Sequence, residues 1–234
     1  MRLAPVHLNS AIAWLFMVGS ACFVVGSVPA YLNAVGGSID GVTYFVGSIF
    51  FTTASLAQLL QSQSPAMTDV GAGDQAIPAQ IRLRAWLPHD RAWLAAITQF
   101  PGTLCFNVST FAALIHNASV GQEDRFVWRP DLYGSTLFLV SSFLGILAVG
   151  RFLSFRPSSL PWRIAWWNMI GSILFMASAL ASYILPTGDV VSVRISVVGT
   201  LTGALCFLIG AALMFPAWRA SMTQASVPDT GNWT

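Results

Sequence analysis

The feature that most constrains this chain is a nine-residue phrase: Gly, a small residue, two fillers, Phe, two fillers, then two small residues. It occurs six times. The copies are Gly19-Ser20 with Phe23 and Gly26-Ser27, Gly47-Ser48 with Phe51 and Ala54-Ser55, and Gly102-Thr103 with Phe106 and Ser109-Thr110. They continue with Gly134-Ser135, Phe138 and Ser141-Ser142, then Gly171-Ser172, Phe175 and Ser178-Ala179, then Gly203-Ala204, Phe207 and Gly210-Ala211. Each copy sits in its own apolar segment, so the chain reads as six variants of one helix. At 100° per residue, the first, fifth and eighth positions share one helix face, within about 60° of one another. The second and ninth positions lie side by side on the adjoining flank, at about 100° and 80°.

Every helix therefore presents a narrow stripe of small residues with a single Phe between them. In lipid, small residues let backbones approach until dispersion contacts and weak hydrogen bonds accumulate. The seven-residue spacing favours left-handed, near-parallel or antiparallel packing. The Phe is expected to be a knob that fills a neighbour's glycine notch. The expected helix-packing residues are thus Gly19, Gly26, Gly47, Gly102, Gly134, Gly171, Gly203 and Gly210, with Phe23, Phe51, Phe106, Phe138, Phe175 and Phe207. The functional alternative is that some of these stripes line a cavity.

The expected solvent follows from charge. Only 9% of the 234 residues are charged and 55% are hydrophobic, whereas a soluble domain carries roughly 25% charged residues. The fold class expected is all-α: an integral membrane bundle of six transmembrane helices arranged as three αα-hairpins. The helices are placed at about 11–31, 41–60, 91–116, 131–153, 162–184 and 191–215, each near the ~20 residues that cross a bilayer. Asn9 and Ser10 are expected to cap the first helix and Asp40 the second. Arg129-Pro130-Asp131 should punctuate the start of the fourth, and Pro216 should end the sixth. Residues 61–90 form the longest polar stretch and are expected to be a cytoplasmic loop, with residues 217–234 a flexible cytoplasmic tail.

Arginine sets the expected orientation, since all 11 basic residues are Arg. Arg2, Arg82, Arg84, Arg91, Arg151, Arg156, Arg163 and Arg219 fall on one side, against Arg125, Arg129 and Arg194 on the other, which puts both termini in the cytoplasm. Tyr31, Tyr44, Tyr133 and Tyr183 all fall at the outer helix ends, while most tryptophans fall near the inner ends, as two interfacial belts would.

Chemistry-bearing residues are sparse within the spans. No Asp, Glu, Arg or His lies at the centre of any span, and proton-coupled carriers and intramembrane enzymes generally need such a group. No metal-ligand, nucleophile-elbow or phosphate-loop pattern occurs, so no catalytic residue, metal or cofactor is expected. Cys22, Cys105 and Cys206 each precede a repeat Phe and read as small apolar filler. A net charge of +2 gives no basis for nucleic-acid binding. The polar intramembrane groups are Thr52, Gln99, Asn107 and Asn168, expected to form interhelical hydrogen bonds or to contact a solute. Gln99 and Asn168 each stand three residues before their repeat Gly. Arg129 and Asp131 are expected to form an external pair or cap.

The phrases Tyr44-Phe45-Val46-Gly47-Ser48-Ile49-Phe50-Phe51-Thr52, Gly102-Thr103-Leu104-Cys105-Phe106-Asn107-Val108-Ser109-Thr110, Arg129-Pro130-Asp131 and Gly203-Ala204-Leu205-Cys206-Phe207 together resemble an uncharacterised bacterial membrane family built from helix pairs, similar to YrhK-like domains. The resemblance covers all six helices and implies a multi-helix protein of a bacterial inner membrane, with no activity to carry over. The expected partners are the lipid bilayer and a membrane-protein partner or a second copy of the chain. The function expected is that of an accessory or scaffolding subunit of a larger membrane complex, handling lipid or solute. The alternative is a small transporter or channel for a neutral or apolar solute.

Overall fold

The computed structural model describes residues 5–64, 82–115, 119–150 and 155–225, with residues 5–7 and 218–225 described as backbone alone. The helices are α1 (Pro5–Gly26), α2 (Pro29–Val35), α3 (Gly37–Ser62), α4 (Arg91–Ala112), α5 (Val120–Glu123), α6 (Arg129–Val149), α7 (Leu160–Ala181) and α8 (Val193–Ala225). A π-helical turn, Asp124–Trp128, joins α5 to α6. The fold is all-α among the described residues, with one isolated antiparallel bridge, Ile184 to Val190. Among the described residues, five helices are long and apolar enough to cross a membrane: Leu8–Gly26, Gly37–Ser62, Val120–Val149, Leu160–Ala181 and Val193–Ala217. The chain is on that basis an integral, multi-pass membrane protein.

The six long helices pack as a closed ring, in the order α1, α3, α4, α6, α7, α8 and back to α1. Cross-contacts run in opposite directions along each neighbouring pair. On α1 and α3, Gln61 donates to Asn9 at one end and Ser27 meets Tyr44 at 2.8 Å at the other. On α3 and α4, Ser48 meets Thr110 at 3.0 Å and Thr52 meets Asn107 at 3.1 Å. On α4 and α6, Arg91 reaches the Leu147 carbonyl at 2.9 Å while Ser109 reaches that of Val127 at 2.8 Å. The seam closes where the Trp14 ring of α1 meets the Phe215 ring of α8, centroids 5.6 Å apart.

Helix boundaries depart from the sequence reading in several places, each with a local cause. The first span ends at Gly26 rather than near Tyr31, because Val28 precedes Pro29 and takes extended backbone (φ −86°, ψ 116°), which a residue before proline favours. Asn9 and Ser10 lie inside α1, four and five residues past its first residue, and so cap nothing. The next long helix begins at Gly37, behind Gly36, whose φ of 80° suits a residue without a side chain. Asp40 is therefore inside the first turn of α3, not its cap, and α3 continues to Ser62. Asp90 does cap α4, accepting from Ala92 N at 2.8 Å and Trp93 N at 3.1 Å. That helix stops at Ala112.

Arg129-Pro130-Asp131 does not start a helix from a loop. The chain is already helical from Val120, and the π turn widens the backbone where Pro130 offers no N–H to the ladder. The same wide turn aligns residues five apart. Arg129 therefore pairs with Asp124, at 2.7 Å, and not with Asp131 as its sequence position suggests. The fourth span ends at Val149 and the fifth runs from Leu160 to Ala181, capped by Ser159. Pro216 lies within α8, which runs on to Ala225 instead of ending near residue 215. A proline inside a helix costs about 3 kcal/mol in water, but membrane helices tolerate it where neighbours satisfy the freed carbonyl. Most of the polar loop, residues 65–81, and the end of the tail, residues 226–234, lie outside the described residues.

Candidate functional site

The two faces of the repeat phrase meet two different neighbours. The first, fifth and eighth positions face the partner within each hairpin. A Cβ added at Gly19 would lie 3.0 Å from the Gly47 carbonyl oxygen and 3.0 Å from the Phe51 ring. Added at Gly47, it would lie 3.1 Å from the Gly19 oxygen and 2.9 Å from Phe23. Gly102 stands in the same way against Gly134 and Phe138, and Gly134 against Gly102 and Phe106. Gly171 stands against Gly203 and Phe207, and Gly203 against Gly171 and Phe175. In each hairpin, then, two glycines touch backbone to backbone, and each receives the ring of the other helix's Phe.

The eighth position completes this face. Where it is Ser, its hydroxyl donates across the hairpin to a carbonyl: Ser109 to Val127, Ser141 to Ala95 and Ser178 to Ser196, at 2.8, 2.8 and 2.7 Å. Where it is Gly, a larger partner leans in. Tyr44 would lie 2.7 Å from a Cβ on Gly26, and Asn168 2.9 Å from one on Gly210.

Apart from Ser27, which meets Tyr44 within its own hairpin, the second and ninth positions lie on the side of the next hairpin. Ser48 pairs with Thr110 across α3 and α4, and Ser142 with Ser172 across α6 and α7, at 3.0 and 2.8 Å. Ser20, Ser55 and Ser135 are buried on the same flank, and their hydroxyls have no partner among the described residues. The register of the phrase sets Ala211 and Ala179 opposite Ser20 and Ser135, which explains two of these three.

The six phenylalanines converge on the ring axis, all six buried to 6% exposure or less. Phe51, Phe138 and Phe207 form a triangle, with centroids 6.3, 5.8 and 6.2 Å apart. Phe175 bridges Phe23 and Phe106 in a second tier at 6.0 and 5.9 Å. Within each hairpin the two tiers touch at 5.6, 5.1 and 5.1 Å. Most of these pairs are edge-to-face, the arrangement that the ring quadrupole prefers. The axis is filled by rings at this level.

Below the triangle, toward the end of the bundle where α4 and α7 begin, the axis opens into a cavity of about 330 Å³. The rings of Phe51, Phe138 and Phe207 bound it at the triangle, and Phe16 lines it too. Gln58, Gln99, Asn168, Ser141 and Ser142 are its polar groups, and alanines with Gly145 make much of its wall. Ser141 donates to Gln99 Oε1 at 3.3 Å. Gln99 and Asn168, singled out as polar groups of the spans, therefore do meet one space, on α4 and α7.

Thr52 and Asn107 do not. Thr52 Oγ1 shares its one proton between Asn107 Oδ1 at 3.1 Å and the Ser48 carbonyl at 3.0 Å, on the flank between α3 and α4. Interhelical bonds of this kind average about 0.6 kcal/mol in a bilayer. A double-mutant cycle with Thr52→Val and Asn107→Leu is expected to give a coupling near that size. Reversible unfolding in bicelles measures it, and a coupling of zero would remove the pair from the packing account.

Cys22, Cys105 and Cys206 are free thiols, and no group of three His, Cys, Asp or Glu gathers among the described residues. His116 lies outside those residues, and the side chain of His7 is not among them. No family model, curated protein or solved structure matches the chain.

Proposed function

We propose that the protein is an accessory or scaffolding subunit of a larger membrane complex, acting through helix packing and not through a reaction. The observation that carries this reading is the axis itself. The two tiers of phenylalanine occupy the line along which a solute would have to pass, and Thr52 and Asn107 bond to each other on the flank beside it. A channel or carrier for a neutral solute, the competing reading, would need those rings to move aside.

The reading takes α4 as a sixth crossing. Leu104, Val108 and Phe111 give it an exposed apolar face, 43%, 50% and 57% accessible. Its polar Thr103 and Asn107 point instead into neighbouring helices, where Thr103 is fully buried. Six crossings with the arginine bias leave both termini in the cytoplasm of a bacterial inner membrane. The likeness to YrhK-like helix-pair proteins belongs to the same reading and adds no activity. Outward-facing side chains such as Ile49, Val140, Ile173 and Val198 offer an apolar surface to lipid or to a partner helix.

Purification from the native host in mild detergent, with identification of co-purifying proteins and lipids, is expected to return a membrane-protein partner in fixed stoichiometry or a defined homo-oligomer. A lone monomer that moves solute across liposomes would overturn the scaffold reading.

A further inference from the structure

The geometry points to a binding site for a small uncharged amphiphile in the cavity below the phenylalanine triangle, with its polar group among the carboxamides close under the rings and its apolar chain along the alanine-lined wall toward Val149. This goes beyond a packing role, and it stands or falls independently of any partner protein.

The cavity is built by the same repeat that builds the plug. Phe16, Gln99 and Asn168 each stand three residues before the repeat Gly in α1, α4 and α7, and all three line it. Gln58, Gly145 and Met214 occupy a second equivalent set, in α3, α6 and α8, and these also line it. The threefold pattern is therefore filled unequally. Phe16 and Met214 are bulky and close the side nearest α1 and α8. Gly145 is empty, since a Cβ added there would meet nothing within 4 Å. The open volume is what remains on the side of α4, α6 and α7.

Its chemistry selects the occupant. No ionisable side chain among the described residues lines the space, so a charged head would be desolvated there without a counter-ion. The lining does carry hydrogen-bonding groups with capacity to spare. No hydrogen bond among the described residues engages the carboxamide of Gln58 or that of Asn168, and Gln99 uses only its oxygen. Carboxamides both donate and accept, which suits a hydroxyl or carbonyl. A volume of about 330 Å³ falls at the small end of ligand pockets, which are mostly apolar with a few convergent polar groups. From Phe138 to Val149 the lining of α6 runs about 16 Å along the helix. A medium-length chain with one polar end fits that depth.

The test uses the full chain in lipid nanodiscs and a photoreactive decanol analogue bearing an alkyl diazirine, with labelled positions mapped by mass spectrometry. Saturable labelling within Phe138–Val149 and on the facing residues of α4 and α7 is expected, displaced by decanol. Decanoate should displace it about tenfold less well, reflecting about 1.4 kcal/mol of charge burial. Gly145→Leu should abolish the labelling without lowering the melting temperature, because the added side chain enters open space. As a second variant, Gln99→Leu with Asn168→Leu keeps the volume and removes the donors, and should weaken decanol about tenfold while leaving decane unchanged. Labelling spread over the lipid-facing surface without saturation would overturn the proposal. So would decanoate displacing the probe as well as decanol, or both variants labelling like the parent.

Discussion

Leucine in place of Gly47 is expected to prevent recovery of the folded bundle, and even alanine there should destabilise it by about 1–3 kcal/mol. A Cβ at this position would fall 2.8 Å from Cys22 Cβ, 2.9 Å from the Phe23 ring and 3.1 Å from the Gly19 carbonyl oxygen. Two of those three atoms are not the free end of a flexible chain and cannot swing away, so α1 and α3 must separate. Separation costs the contacts of the whole hairpin, since small residues serve only at close approach. Gly102→Leu and Gly171→Leu should fail for the same reason, with Leu137, Phe138 and the Gly134 carbonyl in the way for one, and Phe207 and the Gly203 carbonyl for the other. Gly145→Ala is the matched control. It meets no atom, so it should keep or slightly raise stability through better helix propensity, by about 0.5–1 kcal/mol. Yield of monodisperse protein and reversible unfolding in bicelles measure both. Parent-like folding of all three leucine variants would contradict this packing scheme.

Truncating the triangle should have the next largest effect. Phe138→Ala removes a ring that contacts Phe51, Phe106 and Phe207 at 6.3, 5.1 and 5.8 Å. Large-to-small core changes of this type cost about 3–5 kcal/mol in soluble proteins, through lost contacts and the void left behind. Here the void also has a direction. It joins the cavity to the tier of Phe23, Phe106 and Phe175. Simultaneous Phe51→Ala, Phe138→Ala and Phe207→Ala, which also takes away the rings on which Phe23, Phe106 and Phe175 pack, should then make liposomes measurably leaky to small neutral solutes, where the parent is tight. A parent that already conducts, or a triple variant that stays folded and tight, would show that the rings are not the barrier.

How far the sequence carries depends on the length scale of the rule. The repeat phrase was readable because close helix packing in lipid depends on residue size at fixed angular positions, and size is written directly in the sequence. Helical angle separates the face of the first, fifth and eighth positions from the flank of the second and ninth, but the pairing of Gly19 with Gly47 is set by which helices lie side by side. Helix ends were less legible, because they turn on one or two local bonds. Val28 before Pro29 breaks the first helix, whereas Pro216 breaks nothing, and composition does not distinguish the two. The pairing of Arg129 with Asp124 required a π turn, which has no sequence signature beyond the proline that follows it. The cavity was half legible. Gln99 and Asn168 stood out by their shared position before Gly. Gly145 carries no such mark, being a glycine outside the phrase whose role is to leave space, and Gln58 sits in the last two turns of α3, where a polar residue is ordinary.

The ring closes through α1 and α8, helices far apart in the chain, and this bears on biosynthesis. During membrane insertion the first hairpin forms early, but its outer flank, with the buried hydroxyl of Ser20, stays uncovered until α8 has been made. Chains halted before that point would display an unsatisfied small-residue surface to the bilayer, the sort of signal by which membrane proteases recognise unfinished products.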